Sequence, residues 1–271
     1  PAGPRRDVIR AMGRALVATA VAGAVAASAT SAAAQGDRRP PAPVPFQSGE
    51  DLSYDVRFGA IKVGSGRMRV LGVEPVRDRQ AWHVQFTISG GTIFYQVDDV
   101  YESWMDIRSL NSLRYVQDTD QGSRERKRSF EIFPERAVYN EVHKRNREMP
   151  SVPEPLDDGS FLFYIRTVPL EVGRTYEFNR YFKPDRNPVR IRVLRRERVK
   201  VPAGTFDAIV LQPIIKTSGI FSEGGQAEIW LTDDDRRMMV QMRSRLSFGS
   251  LNLYLRRYRT SSDVPERGDQ P

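Results

Sequence analysis

Residues 156–178 read LDDGSFLFYIRTVPLEVGRTYEF, and the way this stretch folds decides how the strands around it are arranged. Phe161, Tyr164, Ile165 and Val168 fall at i, i+3, i+4 and i+7, one face of a helix. Asp157 or Asp158 can cap its start, because a carboxylate accepts the free amide hydrogens of a first turn. Pro169 stops it, since proline cannot extend the ladder and restrains the residue before it. Leu162 and Phe163 add apolar bulk off that face, so the helix is expected to be wrapped and not laid on a surface.

The rest of the chain is patterned with period two. Leu52, Tyr54, Val56 and Phe58 alternate with polar residues, and Trp82, Val84, Phe86 and Ile88 form a second alternating face. Gly90-Gly91 is expected to turn the chain, and Gly64 and Gly66 to mark a bulge or bend. Similar runs recur at about 111–118, 125–133 and 136–143, and again from Thr175 to Tyr258. About twelve strands with hairpin-length gaps predict a mainly β fold: a curved antiparallel sheet or half-barrel with one short helix on its concave face. Arg57, Arg67, Arg69, Arg190, Arg192, Arg243 and Arg245 occupy outward positions, which suits water and not the lipid-facing band of a membrane barrel.

Before the first strand, Arg5, Arg6, Arg10 and Arg14 form a basic head, and a mildly apolar run from Ala15 to Thr30 leads to Ala32-Ala33-Ala34. This is the three-part pattern of a cleaved secretory signal over residues 1–34, and it directs the protein to the periplasm or the exterior. Arg5-Arg6 also fits a twin-arginine signal, with ordinary secretion as the alternative. Residues 35–45 read as a proline-rich linker, 46–260 as a single β-rich domain and 261–271 as a disordered tail. The formal charge is +8, of which the leader holds +3, too dilute a remainder for a nucleic-acid binder. Cysteine is absent, so disulfides, thiolate metal sites and cysteine nucleophiles are excluded.

FQSGEDLSYDVRFGAIKVGSGRMRV (46–70), DDGSFLFYIRTVPLEVGRTYEF (157–178), VPAGTFDAIVLQP (201–213) and IWLTDDDRRMMVQMRSRLSFGSLNLYL (229–255) together resemble the bacterial exported family called domain of unknown function 3108. The resemblance implies an exported single domain of 46–260 and carries no catalytic residues with it. More loosely, the pattern is similar to half-barrel carriers that hold lipids or lipoproteins in the periplasm, with a helix plugging a concave sheet.

Residue patterns that carry catalytic chemistry are few. His83 and His143 stand sixty residues apart without ligand-like neighbours, so neither a zinc site nor a hydrolase triad is expected. Asp98-Asp99, Asp157-Asp158 and Asp233-Asp234-Asp235 are the carboxylate clusters; the last reads as a turn in preference to a calcium loop. Trp82, Phe161, Tyr164, Ile165, Trp230, Phe248 and Tyr254 are candidates to line a cavity, with plain core as the alternative. Arg124, Arg126, Lys127, Arg128, Lys144 and Arg145 would meet as a patch for anionic headgroups or glycans if their strands pair, or else guard an exposed edge. These features favour a non-enzymatic protein without metal, cofactor or nucleic acid, and not integral to the membrane once its signal is cleaved. It would bind or carry an apolar or amphipathic envelope component (lipid, lipoprotein or glycan) or scaffold envelope assembly. The alternative is a carboxylate enzyme acting on envelope polysaccharide.

Overall fold

The computed structural model describes residues 40–92, 95–121, 124–142, 144, 147–215, 227–246 and 249–260. The leader of residues 1–34 and the tail of 261–271 lie outside them. Eight strands come first: β1 (Asp51–Phe58), β2 (Ile61–Val76), β3 (Arg79–Thr92), β4 (Tyr95–Asp106), β5 (Ser112–Gln121), β6 (Arg124–Phe133), β7 (Val138–Glu141) and β8 (Glu148–Pro150). After helix α1 (Asp158–Tyr164) come β9 (Thr175–Phe178), β10 (Val189–Val201), β11 (Gly204–Ile214), β12 (Glu228–Thr232), β13 (Met239–Leu246) and β14 (Gly249–Arg259). Each run is an antiparallel meander, and β14 pairs along β1, so the two runs fuse into one fourteen-stranded sheet. The sheet ends on β8 and β9.

Those two ends are drawn towards each other. Leu156 forms a parallel bridge with Tyr181, and the Ser151 hydroxyl donates to the Phe182 carbonyl at 2.8 Å. The Phe182 ring stands edge-on to Phe130 of β6 and Tyr139 of β7, with centroids 5.2 and 5.1 Å away. An aromatic from beyond β9 is thus buried against strands near the other end, and the sheet is curved in the barrel-like manner expected of accumulated twist.

β2 and β3 approach backbone to backbone where Gly64 faces Gly90, and a Cβ on either glycine would overlap the other strand's main chain. Gly90-Gly91 therefore does not turn the chain as expected: it lies inside β3, which runs on to Thr92. The same residue type that permits a turn also permits close approach, and only the strand register separates the two.

Alternation sorts the side chains into two faces. Leu52, Tyr54, Met68, Val70 and Val84 are buried on the concave face. The convex face carries pairs such as Lys127 with Asp118 and Arg190 with Glu177. In β11, Ile209, Val210 and Leu211 are all buried, so both faces are covered there.

α1 lies against β3 and β4. Asp157 is its N-cap in a capping box with Ser160, and a 3₁₀ turn over Ile165–Thr167 follows before Val168 turns extended ahead of Pro169. Phe161, Leu162, Phe163 and Ile165 are all buried, so the helix is enclosed on more than one side. Part of the proline-rich stretch is laced onto the domain: the Ala42 amide donates to the Ile107 carbonyl at 2.8 Å. Phe46 then packs edge-on to Trp82 and Phe163, at 5.6 and 5.5 Å. Among the described residues, no helix is long and apolar enough to cross a membrane.

Candidate functional site

The N-terminal end of α1 gathers the densest set of inward polar groups. Asp157 Oδ1 accepts from the Ser103 hydroxyl of β4 at 2.5 Å and from the amides of Gly159 and Ser160 at 2.9 and 2.8 Å. The Asp157 amide donates to the hydroxyls of Ser112 and Ser160, at 3.1 and 2.8 Å. Asp157 is 0 % exposed, and burial pushes its carboxyl up to about 6 against the pull of these donors. Its Oδ2 has no hydrogen-bond partner. Gly159 makes this knot possible, because a Cβ there would overlap the Ser103 hydroxyl.

Asp158 turns the other way. Its two oxygens accept from the phenols of Tyr115 on β5 and Tyr181 beyond β9, at 3.1 and 3.0 Å, so it joins groups from both halves of the chain. Arg186 donates to the Tyr181 oxygen at 3.3 Å, and the Tyr101 phenol reaches Asp99 at 3.3 Å. Burial, with the charge of Asp158 or Asp99 beside it, raises the phenols of Tyr101, Tyr115 and Tyr181 above their ordinary range. All three stay neutral and serve as donors.

Register then shows how the concave face is painted beyond the helix. Ser103 and Tyr115 stand in the row nearest α1; the next holds Tyr101, Gln117 and Arg128, and the one after it Asp99, Thr119 and Arg126. Across β1–β3 the same two outer rows read Leu52, Met68 and Phe86, then Tyr54, Gly66 and Ile88. One wall is polar and the other apolar.

At the far side of the polar wall, Arg128 grips Glu141 through two bonds of 2.7 and 2.8 Å, and Lys144 joins the same carboxylate at 3.1 Å. The Lys183 ammonium sits over the rings of Phe130 and Phe182, at 4.8 and 4.9 Å.

Of the residues singled out in the sequence, Phe161 and Ile165 are enclosed in the helix, and Tyr164 is half-buried against Phe178 with Arg180 over its ring. Trp82 packs on Phe46. Trp230 and Tyr254 lie on the opposite, convex face: Trp230 donates to Glu197 at 2.6 Å beneath Arg195 and Arg243, and Arg57 covers Tyr254. The six described aromatic and apolar candidates therefore do not share one surface, and Phe248 is outside the described residues. Within the basic set, β6 and β7 do pair, and Arg128 and Lys144 meet at Glu141. Alternation sends Lys127 to the other face, where it pairs with Asp118, and Arg126 to the concave one. The Arg124 side chain and residues Arg145 and His143 are outside the described part. His83 lies on the convex face, stacked on Trp104 at 4.2 Å with Nδ1 3.0 Å from Glu74. Asp233–Asp235 form the expected turn, with Asp234 accepting from the Thr232 hydroxyl and the Arg236 amide at 2.6 and 3.1 Å. Among the described residues, no group of three or more metal-ligating side chains converges.

The other end of α1 holds a feature the sequence did not reveal. Arg166, 2 % exposed, makes two bonds to buried Glu50 at 2.6 and 2.9 Å and also donates to the carbonyls of Pro45 and Arg236. One guanidinium thus ties the entry to β1, the helix and the β12–β13 turn together.

Residues 53–256 match the family model described as "Protein of unknown function (DUF3108)". No curated protein matches the chain. Among solved structures, the β-barrel-like protein of domain of unknown function DUF1849 from Brucella abortus aligns with a TM-score of 0.53 at 10 % identity, over 80 % of this chain and 99 % of that one. The likeness is one of fold. An exported protein with a YmcC-like fold from Bacteroides fragilis aligns with a TM-score of 0.30 at 12 % identity, over 82 % of this chain and all of that one.

Proposed function

The chain belongs to the DUF3108 family, and we propose that it is an exported protein that binds or carries an amphipathic envelope component without transforming it. The observation that supports this most is the divided inner face beyond α1, with Phe86 and Ile88 on one wall and Tyr101, Gln117 and Asp99 on the other. Phe86 and Ile88 are buried by the protein's own packing, so an acyl chain would have to part that packing, gaining roughly 25 cal/mol for each Å² it buries there. Hydroxyls, amides and charges on the second wall would orient its headgroup, as a small number of polar groups does in most ligand sites. Export rests on the leader of residues 1–34, which is to be tested by fractionation and N-terminal sequencing of the mature chain.

A polysaccharide-cleaving enzyme fits less well. The carboxyl with the raised pKa, Asp157, is sealed beneath the helix start, and Asp158 is engaged by two phenols. A general acid needs reach to its substrate as well as a raised pKa.

Delipidated protein should take up fluorescent fatty acid or phospholipid saturably, and Ile88→Asp should abolish that uptake. Absence of uptake by the wild-type protein for every such probe would refute the carrier reading.

A further inference from the structure

The polar wall ends in a cation that no carboxylate of the described residues meets in an ion pair. Lys183 is half-buried between the faces of Phe130 and Phe182. The cations near it are already engaged: Arg128 by Glu141, and Arg186 by the Tyr181 oxygen. No carboxylate of the described residues comes within ion-pair distance of the Lys183 ammonium, and Asp158, whose charge acts on it from further off, has both oxygens on phenols. Two ring faces compensate part of the cost of holding a cation out of water, but they leave its three N–H donors without an oxygen. Burial, with Arg128 and Arg186 adding repulsion, pulls its amine down to about 8 against the weaker attraction of Asp158 and Glu141. An anion set there would gain a charge-assisted hydrogen bond and relieve the repulsion among three cations.

We infer that Lys183, flanked by Arg128 and Arg186, is an anion subsite that takes the phosphate or carboxylate group of the ligand. The inference rests on the carrier reading for its setting but not for its test. An anion on Lys183 would stand over the aromatic seam that joins the two ends of the sheet, with the apolar wall across the concave face to receive the remainder of an amphiphile.

The chain has six lysines, so reductive ¹³C-methylation of the amines gives a spectrum in which Lys183 can be assigned by its loss in Lys183→Arg. The probes are inorganic phosphate, dihexanoyl phosphatidic acid and neutral dihexanoylglycerol. Phosphatidic acid is expected to raise the Lys183 titration midpoint by about one unit, as an added negative charge within a few ångströms does. Dihexanoylglycerol should leave it in place. Lys183→Gln should weaken phosphatidic acid binding about tenfold or more while retaining the neutral lipid. A midpoint moved equally by phosphate at the same concentration supports the subsite but assigns it to free phosphate and not to a headgroup. A midpoint that neither anion moves overturns the subsite, even if the neutral lipid binds and the carrier reading stands. Movement with anions in a protein that binds no lipid would uphold the subsite and remove the carrier.

Discussion

The two ends of α1 are both fastened by buried polar groups, but by opposite means. At the C-terminal end, Arg166 meets Glu50 with matched charge, and two backbone carbonyls take further guanidinium hydrogens. At the N-terminal end, Asp157 and Asp158 stand side by side and are met by hydroxyls, phenols and amides. The first end is a clasp between segments 116 residues apart. At the second end negative charge is held by neutral donors, so protonation matters there and the polar wall of the concave face begins there. A buried pair that cancels locks the fold. A buried acid that is only hydrogen-bonded ties the fold to pH.

The sharpest way to break this contrast is Arg166→Leu. It leaves the Glu50 carboxylate buried without a partner, and the expected loss is about 3–5 kcal/mol in urea unfolding. Adding Glu50→Gln to that variant should recover part of the loss, because the uncompensated charge is then gone. Equal instability of single and double variants would mean that packing, and not charge, holds this end.

Asp157 should give the next effect, as a slope and not as a loss. Its folded carboxyl titrates at about 6 against an ordinary 3.8, so the folded state binds more protons between those values. Its contribution to stability is therefore complete below about pH 4 and is lost as pH rises through 6, by on the order of 2–3 kcal/mol. Asp157→Asn keeps an oxygen for the cap and removes the titration. The wild-type minus variant difference should fall between pH 4 and 7; a flat difference would mean the acid is ionised and comfortable.

Gly159→Ala should cost about 1–2 kcal/mol by pushing Ser103 off Asp157. Ser103→Ala should then be partly rescuing, so the two changes are expected to couple in a double-mutant cycle. The smallest effect belongs to Asp158→Asn, which keeps one acceptor for Tyr115 and Tyr181 and should cost about 1 kcal/mol or less.

The sequence spoke most clearly where a pattern was local. Asp157 caps, Phe161 and Ile165 are inward and Pro169 ends the helical run, all within one turn or two of one another. The strands of the meander were equally legible, apart from the three-residue β8 and the true extent of β3. Features that depend on distant partners are not legible in the sequence. Arg166 reads as a polar residue on a helix, and only Glu50 makes it a buried one. Trp230 sits in EIWLT, where both faces are apolar, so period two could not say that it faces Glu197 and the arginines. Tyr115 and Tyr181 converge on Asp158 at the helix start only through strand register and the meeting of the sheet's ends.

Native mass spectrometry of the protein purified from its native cells, never exposed to detergent, tests ligand carriage most directly. A population carrying one lipid-sized adduct, lost in Ile88→Asp, is the expected result. A bare chain mass in both proteins, with no uptake restored by added lipid, would contradict it.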